Sequence, residues 1–397
     1  MDTSILDNFV NIKFNIHGSK ENDTTEFPNL TSINFNATIN DLNVIKSKID
    51  NIGDKDWDYF KKKCNPFECV TTNGGLANYT PISRAYYKML EVTTLFRDVL
   101  KNLEPDGLTT LHLAEGPGGF MECINNVLKE LNYKDFKMYG MTLLKEERSI
   151  PAWKKTSYFL EYNKHVEILK GKDGTGDLYN IDNIYDIMTR MKSKATIITG
   201  DGGFDFSNDF NQQESMSFPL LYCQSLAALL CQKKGGIFIL KFFDTYQLKT
   251  LQLLCLLNKC YKSIHFVKPF TSRPANSEKY LVCVGFLDNI SEREIYKLLL
   301  DIPKIGSTIN NSLAISKYNT TDMTFYNSIN IINRIMFSRQ REFINFTLDI
   351  IKNNNLDEKK EELFKRQILT SSEWCERYGI KINYQSKFLN SYSRIHF

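Results

Sequence analysis

Four charged residues stand in separate segments of the chain, at positions where their types could support proton transfer. They are Lys88, Asp201, Lys241 and Glu278, each on a predicted helix or near the end of a predicted strand. Two lysines and two carboxylates that converge on one edge of a sheet would shift one another's pKa values and could handle a proton. Lys241 alone would be explained as a lysine that snorkels from an edge strand. The four residues together predict a catalytic site.

A second candidate is a glycine-rich loop, in which an apolar strand runs directly into LHLAEGPGGF. Its residues after the strand are Glu115, Gly116, Pro117, Gly118, Gly119 and Phe120. Glycines at a strand-to-helix turn let a ligand approach the backbone and leave helix N-terminal N–H groups available. A tight turn without a ligand would have the same composition. A dinucleotide is less expected, because the GxGxxG spacing is missing and Pro117 has no N–H.

The elements that must position these residues alternate between strand-like and helical patterns from Thr109 to Phe286. This alternation predicts a parallel sheet covered by helices. The predicted strands are TTLHLA, KMYGMTL, HVEIL, ATIITG, GIFILKF, SIHFV and KYLVCVGF. The predicted helices follow Gly119 and Asn180 and occupy residues 212–233 and 246–260. Because the carboxyl ends of strands face the ligand crevice in such sheets, we expect Asp201 to point at the site.

Two flanking segments differ from this central region in composition and in hydrophobic pattern. Residues 1–75 are rich in Asn, Asp, Thr and Lys and are interpreted as an N-terminal extension, with one strand-like run at Ile12, Phe14 and Ile16. Residues 76–290 would form the catalytic domain. Residues 291–397 are predicted to form a helical C-terminal module, whose mixed charge run DEKKEELFKRQ is typical of a solvated helix face.

Five ordered segments resemble the FtsJ family of S-adenosylmethionine-dependent RNA ribose 2′-O-methyltransferases, in particular its mRNA cap branch. The segments are SRAYYKMLEV, LHLAEGPGGF, IITGDGGFDFS, FILKFFD and KPFTSRPANSEKYLVCVGF. The resemblance covers residues 81–286 and implies a class I, Rossmann-like α/β fold. Its sheet would be doubly wound, seven-stranded and mostly parallel, with a final antiparallel strand at residues 278–286. EWCERYGI (373–380) also resembles a C-terminal stretch of FtsJ-like proteins of large cytoplasmic DNA viruses.

The resemblance implies a role for each member of the charged tetrad. The family's Lys-Asp-Lys-Glu set corresponds to Lys88, Asp201, Lys241 and Glu278. Lys241 would act as the base that takes the proton of a ribose 2′-hydroxyl, and Asp201 would hold and orient it. The positive charge of Lys88 would oppose protonation of Lys241. Glu278 would position Lys88 or the ribose.

The resemblance also implies cofactor and RNA contacts. S-adenosylmethionine would be bound by Glu115, Gly116, Pro117, Gly118, Gly119, Phe120, Thr142, Asp173 and Asp201. Thr142 stands where many methyltransferases place an acidic ribose contact, so Glu146 or Glu147 could substitute for it. Asp173, rather than Asp177, is the residue that we expect at the adenine amino group. The candidate contacts to the RNA backbone are Arg84, Arg273 and Ser277. No metal is expected.

The predicted acceptor is the capped 5′ end of mRNA, because GDGGFDFS and PANSEKY are closer to the cap branch than to the ribosomal RNA branch. Capping enzymes are candidate partners. A methylated guanine is cationic and binds between aromatic rings, but 20 Tyr and 27 Phe do not identify a pair.

Three other functions remain as alternatives. A ribosomal or other RNA 2′-O-methyltransferase would carry the same tetrad. A non-catalytic RNA-binding subunit is disfavoured by retention of all four tetrad residues. A small-molecule or DNA methyltransferase would have N/D-PP-Y/F where this chain has DGGF, at residues 201–204.

Composition limits the class of protein more than its function. Of 397 residues, 42% are hydrophobic and 24% are charged, as in globular proteins. A net charge of +4 permits a polyanionic partner without requiring one. Nine cysteines, an odd number without CxxC pairs, make disulfides or zinc unexpected. The N-terminus lacks a secretory pattern and no apolar stretch is long enough to span a bilayer, so we expect a cytoplasmic protein, in a host cell or virion if viral.

Overall fold

A mixed sheet of eight strands forms the centre of the fold. The strands are β1 (Ile12–Ile16), β2 (Leu108–Leu113), β3 (Phe136–Met141), β4 (Val166–Leu169), β5 (Ala195–Gly200), β6 (Gln232–Phe242), β7 (Tyr261–Lys268) and β8 (Lys279–Phe286). Their order across the sheet is β1-β7-β8-β6-β5-β2-β3-β4. The computed structural model describes residues 12–16, 35–72, 74–145, 147, 150–203, 212–305, 313–319, 322–353 and 356–396.

The seven predicted strands, β2 to β8, are all present. Strands β2 to β6 pair in parallel, whereas β8 runs antiparallel to both of its neighbours, β6 and β7. The predicted mostly parallel sheet with an antiparallel last strand is therefore confirmed. The run at Ile12 to Ile16 adds an eighth strand, which pairs antiparallel with β7.

Helices cover both faces of the sheet, so the sheet is doubly wound. The helices are α1 (Phe35–Asp50), α2 (Asp54–Cys64), α3 (Glu68–Thr71), α4 (Ala85–Leu95), α5 (Arg97–Lys101), α6 (Gly119–Glu130), α7 (Ser157–Tyr162), α8 (Ile181–Arg190), α9 (Gln213–Cys231), α10 (Leu248–Cys260), α11 (Glu292–Leu299), α12 (Met323–Lys352), α13 (Leu356–Arg377) and α14 (Lys387–His396). Helices α4 and α6 share one hydrophobic core with the sheet, and α8, α9 and α10 share the other.

Burial on both faces explains the sequence of the central strands. Every residue of β2 and β5 is buried, as expected for parallel strands covered by helices. Residues 250–260 of α10 are likewise all buried, as is typical of a helix that is hydrophobic nearly all round. From β2 the chain continues to β3 on one side, and β5 lies on the other. This reversal opens a crevice at the carboxyl ends of β2 and β5.

The two flanking segments pack on the central region and on each other. Helix α1 lies against α12, and Ile45, Trp57, Ile344 and Leu348 form one small core between α1, α2 and α12. Helix α13 packs on α3, and a β-bridge joins Ala77 to Ile382. Contacts cross both boundaries of the predicted division into residues 1–75, 76–290 and 291–397. This division stays a prediction.

Three further features concern the expectations about disulfides, membrane spans and metal sites. All nine cysteines lie in the described ranges and are buried, and none of them forms a disulfide. Within the described ranges, no helix combines the length and the apolar character that crossing a membrane demands. No group of three or more His, Cys, Asp and Glu side chains in the described part of the chain is arranged to hold a metal ion.

Candidate active site

Strands β5 and β6 bring Asp201 and Lys241 together. Gly200, the last residue of β5, is in register with Leu240 of β6, so the next residues of both strands are adjacent. Lys241 Nζ lies 3.3 Å from Asp201 Oδ1 and donates a hydrogen bond to the Asp201 backbone oxygen at 3.1 Å. The placement of Asp201 at the carboxyl edge of the sheet agrees with the sequence expectation.

Helix α4 and the start of β8 supply the other ion pair of the tetrad. Glu278 immediately precedes β8, whose Tyr280 is in register with Lys241. Lys88 Nζ lies 2.5 Å from Glu278 Oε1, and the Tyr280 hydroxyl donates to the same oxygen at 2.8 Å. The structure thus brings all four predicted residues to one edge of the sheet as two adjacent ion pairs.

The pKa values within the tetrad favour the charged form of the lysine on β6. Burial lowers the pKa of Lys241, but the charges of Asp201 and Glu278 outweigh it and raise the pKa above its ordinary value. Burial opposes ionisation of Glu278, yet the charges of Lys88, Lys241 and Lys268 lower its pKa. Burial raises the pKa of Asp201 despite Lys241.

The expected effect of Lys88, a positive charge that opposes protonation of Lys241, does not determine the pKa of Lys241. Lys88 is paired with Glu278, so its charge is compensated locally. Lys241 in turn is influenced by the two carboxylates, and its pKa rises rather than falls. A proton must therefore leave Lys241 before this side chain can accept one.

The glycines of the loop at residues 115–119 are explained by the protein's own contacts. A Cβ on Gly116 would lie 2.5 Å from the backbone oxygen of Ala152, and a Cβ on Gly119 would lie 3.0 Å from the backbone nitrogen of Tyr86. Gly118 has a φ of 110°, which L residues rarely adopt. These contacts explain the glycines from the protein's own packing, and the approach of a ligand to this loop stays a prediction.

A segment that sequence reasoning missed covers this loop. Thr156 Oγ1 donates to the backbone oxygen of Pro117 at 2.5 Å, and the Trp153 ring lies over Gly118 and Gly140. The Trp153 indole nitrogen is buried without a hydrogen-bond partner. The tryptophan in PAWKKT lies outside every motif that the sequence offered, so only the three-dimensional contact reveals it.

Two predicted cofactor side chains, Glu115 and Phe120, contact other residues of the protein. Glu115 is buried, accepts a hydrogen bond from Thr199 Oγ1, and has Oε2 3.2 Å from His112 Nδ1. Phe120 is fully buried, with its ring centroid 5.6 Å from that of Tyr280. Phe120 therefore packs between the start of α6 and the tetrad, and its contact with the cofactor stays a prediction.

Two more predicted cofactor side chains, those of Thr142 and Asp173, form hydrogen bonds that hold loops of the protein. The Thr142 hydroxyl accepts a hydrogen bond from Gly116 N at 3.3 Å. Asp173 accepts from Thr175, Asn180 and Asn183, and the hydrogen bonds of Thr175 to this carboxylate lower its pKa most. The adenine contact of Asp173 stays a prediction.

The alternative acidic residues for the cofactor have no contact of this kind. Among the described residues, neither Glu147 nor Asp177 forms a hydrogen bond with residues 115–119. Glu146 and residues 204–207 of the DGGFDFS segment lie outside the described ranges. A ribose contact from Glu146 or Glu147 therefore stays a prediction.

The candidate RNA-binding residues differ in whether they already form ion pairs or hydrogen bonds within the protein. Arg273 makes a two-point ion pair with Glu68, at 2.7 and 3.1 Å. The Ser277 hydroxyl donates to Gln213 Oε1 at 2.7 Å and is buried. Arg84, one turn before Lys88 on the approach to α4, has no carboxylate of the described residues within ion-pair distance. Burial lowers the pKa of Arg84.

Two side chains that the motifs did not single out, the half-buried Lys268 and the buried Glu91, fix the loop at residues 269–278. Lys268 donates to five acceptors: Ser272 Oγ, the backbone oxygens of Arg273, Asn276 and Glu278, and Asn276 Oδ1. Glu91, on the same helix as Lys88, accepts from the backbone N–H groups of Phe270 and Thr271, from the Thr271 hydroxyl and from the Trp374 indole. A carboxylate within the largely apolar SRAYYKMLEV could have indicated this role.

We expect Glu91→Gln to destabilise the protein by about 1–3 kcal/mol, because the amide nitrogen would face donors that now point at a carboxylate oxygen. Burial raises the pKa of Glu91 to about 7, so urea unfolding is best measured near pH 8, where the carboxylate is charged. Glu130→Gln is the control, since its ion pair with Arg97 is exposed and should contribute less than about 1 kcal/mol. Equal urea midpoints for Glu91→Gln and the wild type would contradict the assigned role.

Comparison with known proteins adds independent information about this site. Residues 81–286 match the FtsJ-like methyltransferase family, a range that contains the tetrad and the glycine loop. Cap-specific mRNA (nucleoside-2′-O-)-methyltransferase 1 of Trypanosoma cruzi is 30% identical over 246 residues, which are 61% of this chain and 66% of that protein.

Two further relatives come from distant sources. Cap-specific mRNA (nucleoside-2′-O-)-methyltransferase of Autographa californica nuclear polyhedrosis virus is 30% identical over 51% of this chain and 72% of its own length. Cap-specific mRNA (nucleoside-2′-O-)-methyltransferase 2 of Danio rerio is 28% identical over 71% of this chain. The chain spans only 39% of the zebrafish protein, and less than two thirds of the trypanosome protein.

Proposed function

Because the chain belongs to the FtsJ-like methyltransferase family, we propose that it transfers a methyl group from S-adenosylmethionine to a ribose 2′-oxygen at the capped 5′ end of mRNA. The observation that carries this proposal is the pair of ion pairs Lys241–Asp201 and Lys88–Glu278 at the carboxyl edge of the sheet. The names of the relatives support the choice of a cap-proximal acceptor.

The crevice beside the tetrad fits a cofactor that carries an amino acid group. Three buried polar atoms around it form no well-aligned hydrogen bond within the protein: Asp201 Oδ1, which lies 3.3 Å from Lys241 Nζ, Glu115 Oε2, which lies 3.2 Å from His112 Nδ1, and the Trp153 indole nitrogen. Asp201 and Glu115 follow β5 and β2, where ligands bind in doubly wound sheets. Carboxylate oxygens suit the ammonium group of a methionine moiety, and the indole N–H suits a carboxylate. When bound, S-adenosylmethionine supplies a sulfonium-linked, electrophilic methyl group.

The chain's own residues would prepare the 2′-hydroxyl. A hydroxyl is a weak nucleophile until its proton is withdrawn, and Lys241 would take that proton. Asp201 fixes the position of Lys241 through the 3.3 Å ion pair. Glu278, held by Lys88 and Tyr280, would orient the ribose next to Lys241, because alignment of the oxygen with the methyl group accounts for much of the rate.

A cavity of about 360 Å³ next to the tetrad supports cap recognition. We define the aromatic cavity by Phe67, Tyr246, Phe270, Phe337, Phe343 and Phe346, which surround it between α12 and the loop at residues 269–278. Ser277 and Lys279, on either side of Glu278, also line it. Its other charged residues are the carboxylates of Asp244 and Glu342 and the cations of Lys268, Arg339 and Arg366. Aromatic faces together with acidic groups suit the flat, cationic ring of a methylated guanine.

Methyl transfer to three RNAs tests the proposal: a capped RNA, the same RNA with an uncapped 5′ triphosphate, and a capped RNA whose first nucleotide is 2′-deoxy. We expect transfer to the capped RNA, less to the uncapped RNA, and none to the first nucleotide of the deoxy RNA, because it lacks the accepting oxygen. Phe337→Leu keeps an apolar side chain in the aromatic cavity but removes a ring face. It should reduce the preference for the cap on the order of tenfold.

The outcomes separate the alternatives. Equal use of capped and uncapped RNA would indicate an RNA 2′-O-methyltransferase without cap specificity. Methylation of the 2′-deoxy nucleotide would indicate that a base is the acceptor. A protein that binds capped RNA and S-adenosylmethionine but transfers no methyl group would be a non-catalytic subunit.

A further inference from the structure

A second cavity, of about 540 Å³, lies on the other side of the loop at residues 269–278. We call it the basic groove and define its cations as Lys62, Lys63, Arg84, Arg273 and Lys387. Glu68 is the one acidic residue among the described side chains that line it. Three of the five cations come from α2 and α14, in the flanking segments outside residues 81–286. The groove is therefore built jointly by the family domain and the two flanking segments.

The basic groove reaches the active site through its arginines. Arg84 precedes Lys88 by one helical turn, and Arg273 lies five residues before Glu278 on the same loop. Arg84 lines the groove and is also the N-cap residue of the helix that carries Lys88 of the tetrad. A strand that leaves the tetrad on this side would meet Arg84 first.

The groove and the aromatic cavity lie on opposite sides of one short segment. Cys64, Pro66 and Phe67 line the aromatic cavity, whereas Lys62, Lys63, Glu68 and Cys69 line the groove. The tetrad lies at the loop that borders both. If the aromatic cavity holds the 5′ cap, the groove lies in the direction of the nucleotides that follow the acceptor.

Aromatic side chains accompany the cations in the groove. Tyr59 is 44% exposed, with Lys63 Nζ 5.5 Å from its ring centroid, and the half-buried Phe388 lies beside Lys387. Cations that track a backbone, together with exposed rings that stack on bases, are the combination used for single-stranded nucleic acid without sequence preference. A groove of this composition does not suit an apolar peptide.

We propose that the basic groove binds the sugar-phosphate backbone of the RNA on the 3′ side of the acceptor nucleotide. This inference rests on the proposed function, which gives the RNA its polarity. Lys63 and Lys387 would contact phosphates from α2 and α14, and Arg84 would contact the phosphate nearest the tetrad. Glu68 holds Arg273 in place by the two-point ion pair and would share it with the RNA. The flanking segments thereby determine how tightly long RNA is held.

The test compares a charge-removing pair of substitutions with a matched pair outside the groove. Lys63→Gln with Lys387→Gln removes two groove cations. Lys55→Gln with Lys381→Gln removes two exposed lysines, one on the same helix as Lys63 and one shortly before α14, and neither lines the groove. The substrates are a cap analogue followed by two nucleotides and a capped RNA of about 20 nucleotides, longer than common single-strand sites.

We expect the groove variant to raise KM for the long RNA on the order of tenfold and to leave KM for the short substrate unchanged. The slope of log affinity against log salt should fall by about 1.4 for the long RNA, since two phosphate contacts are lost. The control variant should behave like the wild type. Equal effects on both substrates, an unchanged salt slope, or the same loss in the control variant would overturn the proposal.

Failure of the proposed function would be recognised separately. A wild-type protein that methylates neither substrate refutes the proposed reaction. Binding of labelled long RNA, followed by fluorescence anisotropy against salt, then still measures the groove. A groove variant that binds this RNA with the wild-type salt slope would refute the groove, and a reduced slope would support it.

Discussion

Lys241→Arg should lose nearly all methyl transfer while it still binds S-adenosylmethionine. Arginine keeps the positive charge beside Asp201 but does not release its proton at any accessible pH, whereas lysine can. If Lys241 takes the 2′-hydroxyl proton, the expected loss of kcat is at least a hundredfold, about 2.7 kcal/mol of transition-state stabilisation. Single-turnover methyl transfer to capped RNA, with calorimetry for cofactor binding, measures the two properties separately.

The pH profile of the wild type provides a second test of this base. The carboxylates of Asp201 and Glu278 raise the pKa of Lys241, so the neutral amine is scarce near neutrality and its fraction grows as pH rises. The rate should therefore increase with pH, with an apparent pKa that belongs to the coupled tetrad. A flat profile across the range in which the protein remains folded would contradict the assignment.

A matched control lies on the same strand. Lys233, near the start of β6, pairs with Glu104 at the surface, so Lys233→Arg should leave the rate unchanged. If Lys241→Arg retains more than about a tenth of the wild-type kcat, corresponding to a loss below about 1.4 kcal/mol, Lys241 contributes charge rather than proton transfer. That result would remove the base assignment and leave the methyltransferase proposal in place.

The strands and the tetrad could be predicted because local patterns determine them. Central strands of a parallel sheet are buried on both faces, so ATIITG and GIFILKF stand out as short apolar runs between turns. A charged residue at the end of such a run must lie at the sheet edge, and this alone locates Asp201 and Lys241. The register of Gly200 with Leu240 then brings the two side chains together.

Contacts between distant segments could not be predicted in the same way. The loop glycines suggest a ligand when the loop is considered alone, but Gly116 is also constrained by the backbone of Ala152, 36 residues further along the chain. Arg273 was expected to be available for RNA, but Glu68 already pairs with it across a separation of 205 residues. No periodicity or spacing encodes such partners, because each residue type has many equivalent candidates elsewhere in the chain.

The C-terminal motif can be identified in the sequence, but its structural role cannot be predicted from it. EWCERYGI could be identified as a resemblance, but its physical role follows from the hydrogen bond of Trp374 to Glu91, which also holds Phe270 and Thr271. The helix that carries Lys88 is thereby tied to the loop that carries Glu278. The helical C-terminal segment contributes to the geometry of the tetrad rather than only flanking it.

Glu278→Gln should abolish most activity and destabilise the protein by roughly 3–5 kcal/mol, the cost of breaking a buried ion pair from one side. Glu278 is 7% exposed, and its charge compensates Lys88, Lys241 and Lys268. A neutral amide leaves these three cations in a buried site with only Asp201 beside Lys241. Thermal unfolding without ligand, followed by methyl transfer at a temperature where the variant is folded, measures both effects.

The free energy of unfolding at acidic pH distinguishes loss of the Glu278 charge from a change in side-chain shape. The folded pKa of Glu278 is lowered below its ordinary value of 4.5, so its stabilisation is fully present above about pH 4.5 and is lost as pH falls through the lowered value. The difference in stability between the wild type and Glu278→Gln should therefore shrink on acidification. Tyr280→Phe keeps the carboxylate and removes only the 2.8 Å hydrogen bond, so it should cost about 1 kcal/mol and keep the wild-type pH dependence. A difference between the wild type and Glu278→Gln that stays constant down to the acid transition would mean that the carboxylate acts through packing and not through its charge.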